Sequence, residues 1–596
     1  MLRSETTAYG LVSLLRSNVA VLDGSDERMK SPLDKRVGFS PCTLSFPPRI
    51  ANLSFRLILS AVLIVAPLLQ VSGLSRSFWL DEVWVANAVL EPTFAEVVYY
   101  DGWLNTNPPL FLLLVRASTQ LFGVSHEAMR LVPFVFGVMS IFAMAYLALR
   151  LLPHWYALVA IFAFVLSPDV VFYAKSLKPY TADVFVCILL LIMGHHYLET
   201  RSRRVFNGAA IAFSVFGFLS YQAIMFLPAF LWGAFEDRYQ LKRHASVHSR
   251  KPVTGADLCL FVSAAVSVST INYIYFIEPN YSDALAEFWR TSFYHGSNAL
   301  GLVRYLGSAL SNLTSPFFFV TDAAPTRVLT LSVMLIGILG VYLFKCGTAV
   351  GQWSGVMLLG LPLLSLVILN VAGQYPITRP SRLTLFIFPV VAILCSAGIR
   401  CAVRGCGALV RKGSVLSYKN GRIDSRVAGA TLLVLTCIFV GRLASVGLKP
   451  YVQREPEEDA VAAIRYLSKQ HVNGDLLYVH STMREHYKFY SKSFSISSGR
   501  IVEGNIGWPC CPRGYVNDRR RSVAEILPAE FDRLQISRTK GRVRLLFSGR
   551  EDHWDLFIRR DEPTEFYRKL VEEGCRPSGV RTFRGVKIDE FYCGSS

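Results

Sequence analysis

Asp81 and Glu82 stand side by side in FWLDEVW (78–84), between Trp79 and Trp84. An apolar run at 57–73 ends just before them, so the pair sits close to the end of a membrane-length segment. Carboxylates in so dry a place are costly unless something uses them. Partial burial raises a carboxyl's pKa and lets it act as a base. The same two acids would also suit a divalent cation, which seeks hard oxygen ligands. The plain alternative is that they only mark a loop facing outward. Positive and aromatic groups recur at two further places. Lys178 and Tyr180, in SPDVVFYAKSLKPYTADVF (167–185), lie between apolar runs with Lys175 and Asp183 close by. A lysine there either snorkels or contacts a phosphate or sugar, and an unpaired Asp183 one turn into a span is expensive. Arg379 and Arg382, in QYPITRPSRLTLFIFP (374–389), stand at the mouth of a later run beside Tyr375. Guanidinium groups pair bidentately with phosphate. Asn107-Pro108-Pro109 reads as a helix start, where proline's missing N–H is not needed.

The elements that must hold these residues are membrane helices. Of the 596 residues 52% are hydrophobic, the mean hydropathy is +0.36, and long apolar runs recur from 57 to 447. That is a polytopic α-helical membrane protein. The formal charge of +19 is concentrated in short loops, where Lys and Arg record topology, and no basic aromatic platform for nucleic acid is present. Spans are expected at 55–73, 180–198, 205–220, 222–236, 255–277, 326–345, 352–373, 382–400 and 427–447, with apolar segments at 108–123, 128–149 and 155–172 between. Loop 236–252 has five Lys/Arg against two acids and loop 400–426 seven against one, whereas 74–107 has one Arg against five acids. The positive-inside rule therefore puts 74–107, 278–325 and the tail after 447 outside. On that reading Arg379 and Arg382 are arginines on the side that should be poor in them. Since 74–107 and 173–180 come out on one side, 108–172 must cross an even number of times. One of its three segments is then re-entrant or interfacial, or a boundary is wrong; the total is 11 crossings, or 13 with a fourth segment. Stretches 283–293 and 299–312 of the loop 278–325 are amphipathic enough to lie on the membrane.

Three domains follow: 1–52, a poorly ordered cytoplasmic tail; 53–447, the membrane domain; and 448–596, outside. In the last, 47 of 149 residues are charged. A helical pattern at 455–470 precedes a strand-like 475–480; helical patterns at 521–534 and 562–573 flank a strand at 543–548; two β-like runs, 579–583 and 586–592, close the chain. Strands alternating with helices predict a small α/β domain, with a structural or acceptor-docking role. Its Cys510, Cys511, Cys575 and Cys593 lack zinc spacing; outside the cytoplasm a disulfide is allowed, and Cys575–Cys593 is one candidate.

In order and spacing these motifs resemble the GT-C-fold membrane glycosyltransferases, specifically the dolichyl-phosphate-mannose–protein mannosyltransferase-like group and its bacterial relatives, over roughly 53–450. The matching positions are Phe78, Trp79, Asp81 and Glu82; Asn107-Pro108-Pro109; Gly123 and Arg130-Leu131-Val132-Pro133; Ser167, Pro168, Tyr173, Lys178 and Tyr180; and Tyr375, Pro376, Arg382, Phe386 and Pro389. Two positions depart from the family pattern: Ser176 replaces an acid, and Asn107 replaces a histidine. The resemblance implies inverting transfer of a sugar from a polyprenyl-phosphate donor to an acceptor hydroxyl on the outer face, in a bacterial inner membrane with the site in the periplasm. The acceptor would be a cell-envelope glycan, a lipid or a protein. Asp81 would be the base. Glu82 would position the acceptor or hold a cation, metal dependence being open. Arg382, with Arg379 or Lys178, would hold the leaving phosphate, and Tyr180 and Tyr375 would line the substrate. The competing reading is a transporter or flippase for a lipid-linked or anionic solute, using the same arginines. Paired repeats and broken mid-bilayer helices would mark it; no repeat is present.

Overall fold

In a computed structural model of the chain, the described residues are 48–100, 106–243, 253–280, 289–296, 298–314, 352–377, 381–413, 458–494, 496, 499–504, 523–536, 539, 541–549, 562–594. The expected spans 326–345 and 427–447 lie outside them, as do Arg379, Cys510, Cys511 and nearly all of the tail 1–52. By packing the chain divides after Ser54.

Helix α1 (Pro48–Val71) ends at Gly73, whose φ of 84° stops it. Two short helices follow, α2 (Leu80–Val89) and α3 (Phe94–Val98). Next come α4 (Pro109–Phe122), α5 (His126–Leu151), α6 (His154–Val165) and α7 (Pro168–Ala174). Ser125 caps α5 by accepting the Ala128 N–H at 3.1 Å. The chain goes on through α8 (Tyr180–Thr200), α9 (Arg203–Phe216), a 3₁₀ turn at Tyr221–Phe226, α10 (Leu227–Arg243) and α11 (Gly255–Asn272). Then come α12 (Ala299–Thr314), α13 (Gln352–Val371), a 3₁₀ segment Ser381–Ile387 and α14 (Phe388–Gly413). Among the described residues five helical stretches are long and apolar enough to cross a membrane, or six if α6 and α7, bent by 55° at their break, count as one span. This is an integral, multi-pass membrane protein. α12 falls on one of the two stretches expected to be amphipathic helices.

The even-crossing requirement over 108–172 has a structural answer. Arg130, early in α5, and the Leu177 N–H, just past α7, both bind the Glu82 carboxylate. The chain between them therefore runs out along α5 and returns along α6 and α7. Helix α4 stays on the Glu82 side. The carbonyl of Asn107, just before it, accepts the Tyr221 hydroxyl at 3.2 Å. Towards its end Arg116 reaches the Pro92 carbonyl at 2.5 Å, and Ser118 donates to the Ala128 carbonyl at 2.6 Å. Fourteen residues span only about 21 Å, short of the ~30 Å hydrocarbon core. The close approach of α1, α5 and α7 depends on Gly137, where a Cβ would fall 2.7 Å from Ala174 Cβ and 2.8 Å from Gln70 Oε1. At the far end of the bundle Phe55 packs edge-on against His154 and Trp155. Arg201 pairs there with Glu236 and Arg203 with Asp257, so these loop arginines gather opposite Glu82.

Beyond 458 the chain forms the expected small domain: α15 (Ala460–Gln470), β1 (Leu476–Val479), α16 (Ser481–Tyr490), β2 (Arg500–Glu503), α17 (Val523–Leu534), β3 (Gly541–Ser548), α18 (Glu562–Glu572), β4 (Arg576–Phe583) and β5 (Val586–Cys593). The sheet order is β2-β1-β3-β5-β4, with β1 parallel to both neighbours and β3, β5 and β4 antiparallel. Arg544 is fully buried in it, bonded to Asp475 at 2.5 Å and Glu590 at 3.0 Å. The Cys575–Cys593 disulfide forms, closing the open end of the β4–β5 hairpin.

Candidate active site

The acid pair occupies the first turn of α2, where the helix dipole favours negative charge. Its members face opposite ways. Glu82 points inward and is fully buried. Arg130 binds it twice, Nε to Oε1 at 2.9 Å and Nη2 to Oε2 at 2.6 Å. The Leu177 N–H adds a bond of 2.7 Å and the Trp79 N–H one of 3.3 Å. Burial alone would raise the Glu82 carboxyl, but Arg130, Arg76 and these hydrogen bonds outweigh it and hold the group below its ordinary value of 4.5. Arg130 in turn donates to the Leu74, Arg76 and Ser77 carbonyls. Ser176, which replaces an acid of the family pattern, is buried and accepts a hydrogen bond from Arg76 at 3.1 Å.

Asp81 points the other way. Arg382, from the 3₁₀ segment ahead of α14, reaches its Oδ2 at 2.6 Å, with the two side chains 18% and 15% exposed. The same guanidinium lies 5.7 Å from the Trp79 ring centre. Lys178 sits over Trp84 at 5.9 Å. Burial lowers the Lys178 amine, Asp81 acts against that and Arg382 adds to it. Buried Lys175, one turn away, is pushed down to about 7 by burial and by Arg76. Tyr180 is within electrostatic reach of both Arg382 and Asp81 and stacks edge-on against Tyr173. The Tyr375 hydroxyl donates to the Leu383 carbonyl at 2.5 Å and accepts from Gln222 at 3.0 Å, which braces the segment bearing Arg382. Asp183 is buried just behind, and among the described residues its Oδ1 has no hydrogen-bond partner.

The structure thus brings together Asp81, Lys178, Tyr180, Tyr375 and Arg382, while Arg379 lies outside the described residues. Glu82 is beside them in sequence but turned away, with both oxygens engaged. Among the described residues no three His, Cys, Asp or Glu side chains gather as a metal site. A cation at the acid pair would find Asp81 alone, because Glu82 is committed to Arg130. In the sequence Arg130 stands out only as part of the Arg130-Leu131-Val132-Pro133 motif, and nothing there marks the α16 residues that touch this segment. Arg130 had a readable signal, an arginine one turn into an apolar helix, which demands a buried acid.

Residues 106–275 match the family described as dolichyl-phosphate-mannose-protein mannosyltransferase. Among solved structures, ArnT from Cupriavidus metallidurans in the apo state matches with a TM-score of 0.51 at 12% identity, over 91% of this chain and 98% of that one. The same protein bound to undecaprenyl phosphate gives 0.47 at 13% identity, over 91% and 98% of the two chains. The arabinosyltransferase EmbB from Mycobacterium smegmatis gives 0.29 at 9% identity, over 69% and 42%. No curated protein matches by sequence. Fold and sequence pattern agree: the fold is that of the GT-C membrane glycosyltransferases, and the matched segment carries the pattern of the mannosyltransferase-like group.

Proposed function

We propose that this protein is an inverting glycosyltransferase. It takes a sugar from a polyprenyl-phosphate donor and joins it to an acceptor hydroxyl on the outer face of the membrane, in bacteria the periplasmic face of the inner membrane. The observation that carries this is the meeting of Asp81 with Arg382 at 2.6 Å, where Lys178, Tyr180 and Tyr375 also converge. A base and a phosphate-binding cation are the two groups the reaction needs. The acceptor oxygen attacks the anomeric carbon from the face opposite the phosphate and loses its proton to the Asp81 carboxylate. The bond from that carbon to the phosphate oxygen breaks, and the lipid phosphate leaves carrying the electron pair. Arg382 and Lys178 balance the charge that develops on it. A positioned general base contributes about 10²–10⁴-fold.

In the resting protein Asp81 and Arg382 neutralise each other. A donor phosphate competes with Asp81 for the guanidinium, so donor binding releases the base. Glu82 then holds the loop through Arg130 rather than touching substrate. The outward assignment rests on loop charge: the site lies at the end of the bundle opposite Arg201 and Arg203.

The test uses purified full-length protein, a panel of labelled polyprenyl-phosphate hexoses and pentoses, and membrane extract as acceptor source. Release of lipid phosphate by the wild type and its loss in Asp81→Asn are expected. Equal rates in the two would overturn the catalytic reading, and movement of the donor across vesicles without sugar transfer would favour a transporter.

A further inference from the structure

We propose that the C-terminal domain belongs to the catalytic centre: helix α16 positions Asp81. This rests on the proposed role of Asp81 as the base. Among the described residues no hydrogen bond or ion pair joins Asp81 to α16, yet the segment around it is held by that helix on both sides. Ahead of Asp81, the Tyr490 hydroxyl accepts the Phe78 N–H at 2.8 Å and lies 3.2 Å from Ser77 Oγ and 2.9 Å from His126 Nε2. His486 Nε2 is 3.2 Å from the Phe78 carbonyl and 3.0 Å from Glu458. Both backbone groups of Phe78 are therefore taken by one helix, and its ring lies edge-on to Phe489. Beyond Asp81, Asn87 donates to the Glu485 carboxylate at 2.8 Å and to the Glu485 carbonyl at 2.9 Å. Tyr100 donates to the same carboxylate at 2.5 Å, and Lys488 pairs with Glu91 at 3.0 Å.

These links run from Ser77 to Tyr100, and Glu485, His486 and Tyr490 are all buried. Buried polar groups that satisfy one another fix a single arrangement, because any shift leaves one of them unpaired. From the membrane side the acid pair is held at Glu82, by Arg130 and the Leu177 N–H, and at Asp81, by Arg382. The second is the contact that substrate must break. Once Arg382 turns to a phosphate, the Glu82 contacts and α16 keep Asp81 aimed. A domain that merely docked an acceptor would have no need to hold both backbone groups of Phe78.

Tyr490→Phe in the full-length protein tests this, since it removes one hydroxyl and leaves the ring. A misplacement near 1 Å costs on the order of 100-fold, so the expected result is a fall in kcat of at least ~10-fold with donor KM within about twofold. In an Asp81→Asn background the same change should cost nothing further, because a positioning residue acts only through the group it positions. Hydrogen exchange should rise over 78–89 and stay unchanged over 184–198. Glu485→Gln, which keeps an acceptor oxygen, should lose less than Glu485→Ala. An equal loss from Tyr490→Phe with and without Asp81, or unaltered exchange over 78–89, overturns the positioning role alone. Wild-type turnover by Asp81→Asn overturns the proposed function and this role with it.

Discussion

Two neighbouring carboxylates each meet an arginine, and the two pairs are built differently. Glu82 and Arg130 are fully excluded from solvent and bonded twice to each other; the Leu74, Arg76 and Ser77 carbonyls take the other Arg130 donors, and the Leu177 N–H binds the carboxylate. Asp81 and Arg382 share one close contact and are partly exposed, and among the described residues Arg382 Nε has no hydrogen-bond partner. The first pair has no vacancy for a substrate. The second is an exchangeable contact between groups of opposite charge. One residue of separation, half a turn or less of helix, thus divides the part that shapes the loop from the part that does chemistry.

The sharpest way to break this division is to swap which pair is damaged. Asp81→Asn should lower turnover by about 10²–10⁴-fold and leave the melting temperature near that of the wild type. Glu82→Gln should do the reverse. It strands the buried Arg130 charge, and losing one partner of a buried pair costs about 3–5 kcal/mol; folded yield and melting temperature should drop, with turnover per folded molecule nearer to wild type. Thermal unfolding and donor turnover on the same preparations separate the two. If Glu82→Gln is the stable, inactive variant, the roles are reversed.

Smaller in effect is Arg382→Lys. A lysine keeps the charge but gives up the planar fork that grips two phosphate oxygens at once. Donor KM should rise about tenfold, the size of a single lost charge-assisted hydrogen bond, with the melting temperature unchanged. A large loss of stability would mean that the Arg382–Asp81 pair is structural after all.

How far this division was legible in the sequence depends on the kind of residue that made it. Apolar periodicity and loop charge gave the helices and placed Asp81, Lys178, Tyr375 and Arg382 at one end of the bundle. Apolar runs also marked α4 (Pro109–Phe122), but its course along one side of the bundle shows only through bonds such as Tyr221 to the Asn107 carbonyl. Sequence also does not tell which way Asp81 and Glu82 face, since neighbouring residues in a first turn point apart and the partner Arg130 lies 48 residues on. Helix α16 is hard to read in STMREHYKFY (481–490) because its apolar residues, Met483, Tyr487, Phe489 and Tyr490, are interleaved with polar residues that are buried beside them. Its buried face also carries Glu485 and His486, and it docks on the Asp81 segment through hydrogen bonds that Glu485 and Tyr490 accept and a contact of His486 with the Phe78 carbonyl, which a hydrophobicity pattern does not register. Strand β2 was missed because it is four residues long and at an edge.

The mildest probe of the comparison is acid. Glu82 titrates lower in the folded protein than its ordinary value of 4.5. Its contribution to stability is then complete above the unfolded value and is lost as pH falls below it, through the folded value, because the unfolded chain binds the proton first. Each unit of displacement is worth about 1.4 kcal/mol. The melting temperature of the purified protein should therefore hold steady down to the region of 4.5 and decline below it. Other carboxylates share that decline, so the informative quantity is the difference between variants. Asp81→Asn should keep the wild-type acid limb, since its neighbour still titrates against Arg130. Glu82→Gln should start lower and fall less steeply over the same interval. Parallel acid limbs in wild type and Glu82→Gln would mean that the buried pair does not hold the loop through its charge.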